Sequence, residues 1–247
     1  MSQSLPKLLT KCPLREVVFE LRFTPTNPAA GDLLPGLLFS KMHKDYPEVV
    51  PLPMANVPRQ LREQNQDLAY QPSHRLSGGP HAVLICDRAV SLNTHQYPGW
   101  VRYKEMIGAL IDALKETELV KQIERFSFKY INVIEALPSE SQLPYLKLKI
   151  ALGDKPPIER GFLLRVEGNE GEFVTITQIA PNTLAKNLIN HQDVSGLMVD
   201  VDTIRGSIGN EFLENSKSEL EKGHEVAKKT FFSLLTEATR DRMEPKW

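Results

Sequence analysis

Between Glu16 and Phe23 the chain alternates, with Val17, Phe19, Leu21 and Phe23 on one side and Val18, Glu20 and Arg22 on the other. A period of two is that of a strand with one buried face, so residues 16–23 predict a strand. The run TPTNPAAG interrupts it, and Asp32 is placed to cap a helix over residues 33–47, where Pro35 is tolerated in the first turn. Residues 47–80 are rich in proline and polar side chains and predict a long connection with one short strand near Ala69–Gln71. A connection of that length is either functional or flexible. HAVLICDRAVSLN, residues 81–93, then predicts two short strands about a turn at Asp87–Arg88.

The clearest block runs from Ala89 to Asn132: a strand, the aromatic turn QYPGW, a helix and a second strand. Met106, Ile107, Leu110, Ile111 and Leu114 recur at helical spacing and form one apolar stripe. In FSFKYINVI, Phe126, Phe128 and Tyr130 fall on one side and Ile131 and Val133 on the other. ALPSESQLP, residues 136–144, is the best internal boundary. It divides an N-terminal α+β lobe, 1–137, from a C-terminal α+β lobe, 145–247; one continuous domain is the alternative.

Beyond the boundary, Leu146, Leu148, Ile150 and Leu152 alternate with polar residues and predict a strand. FLLRVEG and EFVTITQI predict a hairpin about Asn169–Gly171, GLMVDVDTI a further strand, and NTLAKNLINHQ a short helix or a loop. The final helix is expected from Glu211 to Arg240. Its stripe is Leu213, Leu220, Ala227 and Leu234 with His224, Phe231 and Leu235 beside it, and Ser216 and Glu219 are spaced as a capping box. Spacing of this kind over so few turns favours docking on the protein's own sheet over a coiled coil. The fold class is therefore α+β: largely antiparallel sheet packed by two or three long amphipathic helices, the longest at the C-terminus.

Hydrophobic residues at 41% and charged residues at 25% of 247 are enough for a substantial core. Thirty Lys and Arg against 31 Asp and Glu give a net charge of −1, which argues against a dedicated duplex nucleic-acid binder. Two distant cysteines, Cys12 and Cys86, make no disulfide framework and favour a reducing cytoplasm. No apolar run approaches the ~18 residues of a membrane span, and the N-terminus lacks the pattern of a signal peptide.

Candidate chemistry is sparse. Asp200 and Asp202 form a D-x-D whose carboxylates share a strand face, a weak metal candidate together with His224; a solvated face is the favoured reading. His224 is more simply a hydrogen-bonded structural histidine. In HEVAKK, Lys228 stands where a zinc protease needs its second histidine. Among His43, His74, His81, His95, His191 and His224 no pair has ligand spacing, and nucleophile elbows and phosphate loops are absent. No cofactor is expected. Tyr97, Trp100 and Tyr103 are a packing corner in the favoured reading and a ligand-stacking wall in the other. Arg125, Lys129, Tyr130 and Asn132 place polar groups on a central strand and are the preferred ligand-binding set, suited to an anionic group.

In order, PLREVVFELRF, VSLN with HQYPGW, ERFSFKYIN, LMVDVDTI and a last helix carrying His224 and Phe231 span nearly the whole chain. In this order they resemble a sporadically distributed bacterial family of uncharacterised proteins. The resemblance implies arginine, tyrosine and asparagine at Arg125, Tyr130 and Asn132, with Lys129 standing where arginine is common. Patchy distribution implies an accessory gene, as in mobile-element, toxin–antitoxin or antiphage loci. The leading expectation is a cytoplasmic, non-enzymatic module that binds a protein encoded nearby, with self-association through a sheet edge or the last helix. The rivals are a sensor of an anionic or nucleotide-like ligand and a metal-dependent enzyme.

Overall fold

The computed structural model describes residues 5–137, 140–151, 153–154, 161–186 and 193–247. Its strands are β1 (Leu8–Leu9), β2 (Leu14–Pro25), β3 (Glu48–Pro51), β4 (His74–Gly78), β5 (His81–Ile85), β6 (Ala89–Thr94), β7 (Val120–Glu135), β8 (Leu164–Glu170), β9 (Phe173–Lys186), β10 (Asp193–Gly206) and β11 (Pro245–Lys246). The helices are α1 (Ala30–Met42), α2 (Arg59–Gln64), α3 (Trp100–Lys115), α4 (Glu211–Leu234) and α5 (Glu237–Arg242). Nine strands hydrogen-bond in the order β3-β4-β5-β6-β2-β7-β10-β9-β8, and β1 pairs with β11. The chain is mixed α+β with a large antiparallel sheet and its longest helix near the C-terminus. No helix among the described residues is long and apolar enough to cross a membrane.

Two compact units interleave along the chain. One comprises residues 17–128 and 204–223, the other 1–16, 129–203 and 224–247. β2, β7, β10 and α4 contribute residues to both.

In the first unit the alternation of β2 is realised: Val17, Phe19, Leu21 and Phe23 are fully buried while Val18, Glu20 and Arg22 are half-exposed. β2 pairs antiparallel with β6 from Val17↔Thr94 to Arg22↔Ala89, and β3 to β6 continue as an antiparallel meander. On the apolar face Phe19 meets Phe128 at 5.5 Å, and Phe126 stacks on Phe212 of α4 at 5.0 Å between centroids. A Cβ on Gly223 would lie 3.0 Å from the Phe126 ring and 3.1 Å from Phe128, so α4 approaches β7 as closely as a bare Cα allows. α3 buries Ile107, Leu110, Ile111 and Leu114 of its predicted stripe and leaves Met106 half-exposed, and Tyr103 donates from its hydroxyl to the Leu92 carbonyl at 2.7 Å.

The second unit has a core of Ile134, Leu146, Ile179, Leu197, Val199, Val201, Phe231, Phe232 and Leu235. The hairpin of β8 and β9 is present, in register from Leu164↔Ile179 to Glu170↔Phe173. Its turn is Gly171–Glu172, one to two residues beyond the predicted one. Gly171 has φ +61 and is the first central residue, the arrangement of a type II′ turn.

Several expectations need correction. The 47–80 segment holds β3, α2, β4 and two short 3-10 turns, and Leu68–Tyr70 is one of those turns rather than a strand. These elements are short and bounded by prolines, so neither period develops in the sequence. Asp32 lies inside the first turn of α1 and makes no cap; Asn27 Oδ1 instead accepts from the Ala29 N–H at 2.8 Å. The strand expected over Leu146–Leu152 does not form in the described part. Leu146 makes an isolated bridge to Leu235, the Lys147 N–H donates to the Leu234 carbonyl, and Leu152 lies outside the described residues. Only its first two residues, Leu146 and Lys147, bond to the end of α4 and the residue after it, so no ladder develops. In NTLAKNLINHQ, Asn182–Lys186 continue β9 and residues 187–192 lie outside the described residues. The last helix begins at Glu211, so Ser216 and Glu219 fall in its interior and form no capping box. It ends at Leu234, and α5 starts afresh with the Thr236 side chain accepting from the Thr239 N–H.

One side chain ties the 47–80 segment to the first unit. Arg62 is 4% exposed and donates to Asp87 (2.8 Å), Asp32 (2.7 Å) and the Val57 carbonyl (2.8 Å). Gly31 makes room for it: a Cβ there would lie 2.0 Å from Asp87 Oδ1. Removing one partner of a buried ion pair strands the other charge, so Arg62→Ala should cost roughly 3 kcal/mol or more. Urea unfolding is expected to show a lower midpoint at unchanged slope, with Arg62→Lys recovering only part because ammonium lacks the fork that reaches three acceptors.

Candidate functional site

All four residues of the predicted polar set lie on β7, and its alternation divides them. Tyr130 (9% exposed) and Asn132 (4%) share the buried side, whereas Lys129 is on the opposite, half-exposed side. Arg125 sits where the alternation slips. Ile123 and Phe126 are both fully buried though three residues apart, and Glu124 and Arg125 between them are both half-exposed. Such a slip marks a β-bulge. It turns two adjacent charged side chains toward β2: Arg125 donates to Glu20 at 2.9 Å, and Thr24 donates to Glu124 at 2.7 Å.

Further groups complete this network in the first unit. Arg22 donates to Glu20 at 2.6 Å and stacks its guanidinium 4.0 Å from the centre of the Tyr70 ring. Tyr70 donates to Glu124 at 3.3 Å, and Arg88 pairs with the same carboxylate. Burial works to raise the Glu124 carboxyl, but the bonds from Thr24 and Arg88 outweigh it and hold the group below its ordinary value. Arg125 is thus one member of a network of three arginines, Arg22, Arg88 and Arg125, that share two carboxylates, Glu20 and Glu124.

In the second unit Lys129 Nζ lies 3.0 Å from Asp200 Oδ2, which also accepts from Gln178 Nε2 at 3.2 Å. Asp200 is 4% exposed, and burial pushes its carboxyl up while Lys129 opposes the shift and Glu16 adds to it. On the other side of β7 the Tyr130 hydroxyl and His224 Nδ1 are 2.8 Å apart. Asn132 Nδ2 donates to the carbonyls of Tyr130 and Val199, both at 3.2 Å. Asp200 and Asp202 therefore share a face, as predicted, while His224 is held by Tyr130 on the opposite one. No group of three or more histidine, cysteine, aspartate or glutamate side chains is arranged to hold a metal ion among the described residues.

The aromatic turn is engaged in packing. Tyr97 meets Tyr103 edge-on at 5.7 Å, and Trp100 meets Phe128 edge-on at 5.6 Å. The Trp100 indole N–H donates to Glu221 at 2.9 Å, and Lys104 pairs with the other oxygen of that carboxylate. An open groove of about 390 Å³ is lined by Leu143, Leu146, Leu148, Ile150 and Lys149. Among the described residues its only charged lining group is Lys149, so it offers hydrophobic contact rather than acid–base chemistry.

The remaining feature is a sheet edge. Among the described residues β8 stands last in the strand order and pairs only with β9. Glu170↔Phe173 closes the two-residue turn as a hydrogen-bonded pair. The antiparallel alternation then aims the backbone N–H and C=O groups of Arg165, Glu167 and Asn169 away from β9. Val166 is 49% exposed and the adjoining Leu163 64%. The opposite end of the order is blunted: β3 has four residues, begins with Glu48 and ends with Pro51, devices that discourage edge pairing. Sequence reasoning found the hairpin but not its edge status, which depends on strand order and leaves no local signal. It also missed Arg62, Glu20 and Gln178, whose roles come from distant partners.

Comparison of the chain with protein-family models and with curated protein sequences found no match.

The Asp200 site yields a test with a definite sign. Its folded-state affinity for a proton is raised above the ordinary value of 3.8, so this group alone makes the fold less stable as pH rises through the window just above 3.8. Asp200→Asn should accordingly cost less stability at neutral pH than below 3.8, read from urea unfolding at the two pH values. A larger cost at neutral pH would mean that the attraction to Lys129 dominates burial.

Proposed function

We propose that this chain is a non-catalytic protein-binding module that receives a strand of its partner along β8. The observation that carries the reading is a seven-residue edge that no other described strand covers, with outward backbone groups at Arg165, Glu167 and Asn169 beside exposed Val166. Main-chain hydrogen bonds along such an edge supply affinity, and the alternate side chains supply selectivity. Two further observations fit a binding role. The polar side chains of β7 are each engaged by a group on another element, in the Arg125–Glu20, Lys129–Asp200 and Tyr130–His224 pairs. The other terminal strand, β3, is short and carries a proline.

The resemblance adds the class of setting: a cytoplasmic accessory protein whose partner is encoded nearby, as in an antitoxin, immunity or antiphage-defence locus. Co-production with the products of neighbouring genes tests it, with Glu167→Pro as the discriminating variant. The Glu167 N–H points off the sheet, so proline there removes one docking donor while sparing the β8–β9 ladder. The expected result is a stoichiometric complex with the unaltered chain, lost with Glu167→Pro at nearly unchanged melting temperature. A complex that survives Glu167→Pro, or none with any neighbouring product, would contradict the reading.

A further inference from the structure

We infer that, when no partner product is present, the β8 edge receives β8 of a second copy of this chain, in one antiparallel register with its two-fold axis at Val166. The inference rests on the proposed use of the β8 edge and adds what occupies that edge until a partner strand replaces it.

Hydrogen-bond parity limits the choices. Arg165, Glu167 and Asn169 carry the outward groups, so in an antiparallel pair of edges these residues must face one another. A two-fold axis can then lie at Arg165, Val166, Glu167 or Gly168. An axis at Arg165 sets two arginines opposite each other, and an axis at Glu167 sets two glutamates opposite each other; like charges at directly opposed positions destabilise a sheet. An axis at Gly168 leaves Arg165 beyond the pairing, facing the turn at Gly171. With the axis at Val166, Arg165 of each copy faces Glu167 of the other, twice by symmetry.

The remaining side chains fit that register. Val166 meets its own counterpart in a non-hydrogen-bonded pair, where side chains are closest, and so covers an apolar group that is 49% exposed in the single chain. Leu164 lies across from Gly168, which has no side chain to obstruct it. Leu163, 64% exposed, lies opposite Asn169 at the margin of the pair. In the single chain Arg165 and Glu167 already form an ion pair with each other, at 49% and 57% side-chain exposure. Dimerisation exchanges two such local pairs for two cross-strand pairs, with no net change in the number of charges paired. The contact is isologous: each copy gives and receives the same strand, which closes the assembly at two.

The test begins with sedimentation of the unaltered chain, where a dimer in reversible equilibrium with monomer is expected. Arg165→Glu alone and Glu167→Arg alone should each weaken dimerisation about tenfold or more, since each substitution alters two symmetry-related pairs. The double exchange of the two residues should restore it. Val166→Cys, in a chain carrying Cys12→Ser to remove the exposed native thiol, should form an intermolecular disulfide under mild oxidation, whereas Glu167→Cys should not. A chain that stays monomeric at about 100 μM, a concentration at which even weak specific pairs assemble, overturns the inference. So does a dimer indifferent to both charge reversals that gives no Val166→Cys cross-link. Failure here is separable from failure of the broader reading. If the chain is monomeric yet Glu167→Pro still abolishes a complex with another protein, the edge binds a different strand. If Glu167→Pro changes no association at all, the edge is not an interface.

Discussion

The two-residue period of β7 is the constraint on which both units depend. Its buried side presents Phe126 and Phe128 to Phe212 and Gly223 in one unit and Tyr130 and Asn132 to the interior of the other. Its other side presents Lys129 to Asp200. A strand cannot aim neighbouring side chains at one point unless its alternation is broken. The one break on β7, at Glu124–Arg125, serves the charges on β2. The same geometry that builds the core therefore disperses the polar residues that look like a site when read along the chain. Arg125, Lys129, Tyr130 and Asn132 are close in sequence and committed to different partners.

Polar burial follows the same rule elsewhere. Arg62 is almost fully enclosed because two carboxylates and a carbonyl receive its guanidinium. Asp200 is enclosed because an ammonium and an amide do the same. An isolated charge at either position would be too costly to bury. The Arg62 cluster contributes by fixing a segment that carries little hydrophobic surface of its own. That segment is the proline-rich stretch around α2, a helix whose one buried residue is Arg62.

Elements with a long, unbroken period were legible in the sequence. β2 could be read from Val17 to Phe23, and α3 from Met106 to Leu114, because each repeats its pattern over several residues. The 47–80 segment was not, since strands and helices of four to six residues bounded by prolines never establish a period. Leu146 to Leu152 failed for the opposite reason: it alternates, but in its described part Leu146 and Lys147 bond to the end of α4 and the residue after it rather than to another strand. At the candidate site, the hairpin was legible from RVEGNEGEF, whereas the freedom of its outer edge was not. Edge status belongs to the order of strands in a sheet, which depends on pairings between residues far apart in the chain. The pairing of Tyr130 with His224 was hidden for the same reason, although the residues themselves had been singled out.

What remains after the internal pairings are counted is a row of backbone groups on β8 that the described chain leaves facing outward. Hydrogen exchange of individual amides measures their state directly. The account predicts that the amides of Arg165, Glu167 and Asn169 are protected at high protein concentration and lose that protection on dilution, while the inward amides of Val166 and Gly168 stay protected throughout. Rapid exchange of the three outward amides at every concentration, with or without a candidate partner, would contradict it.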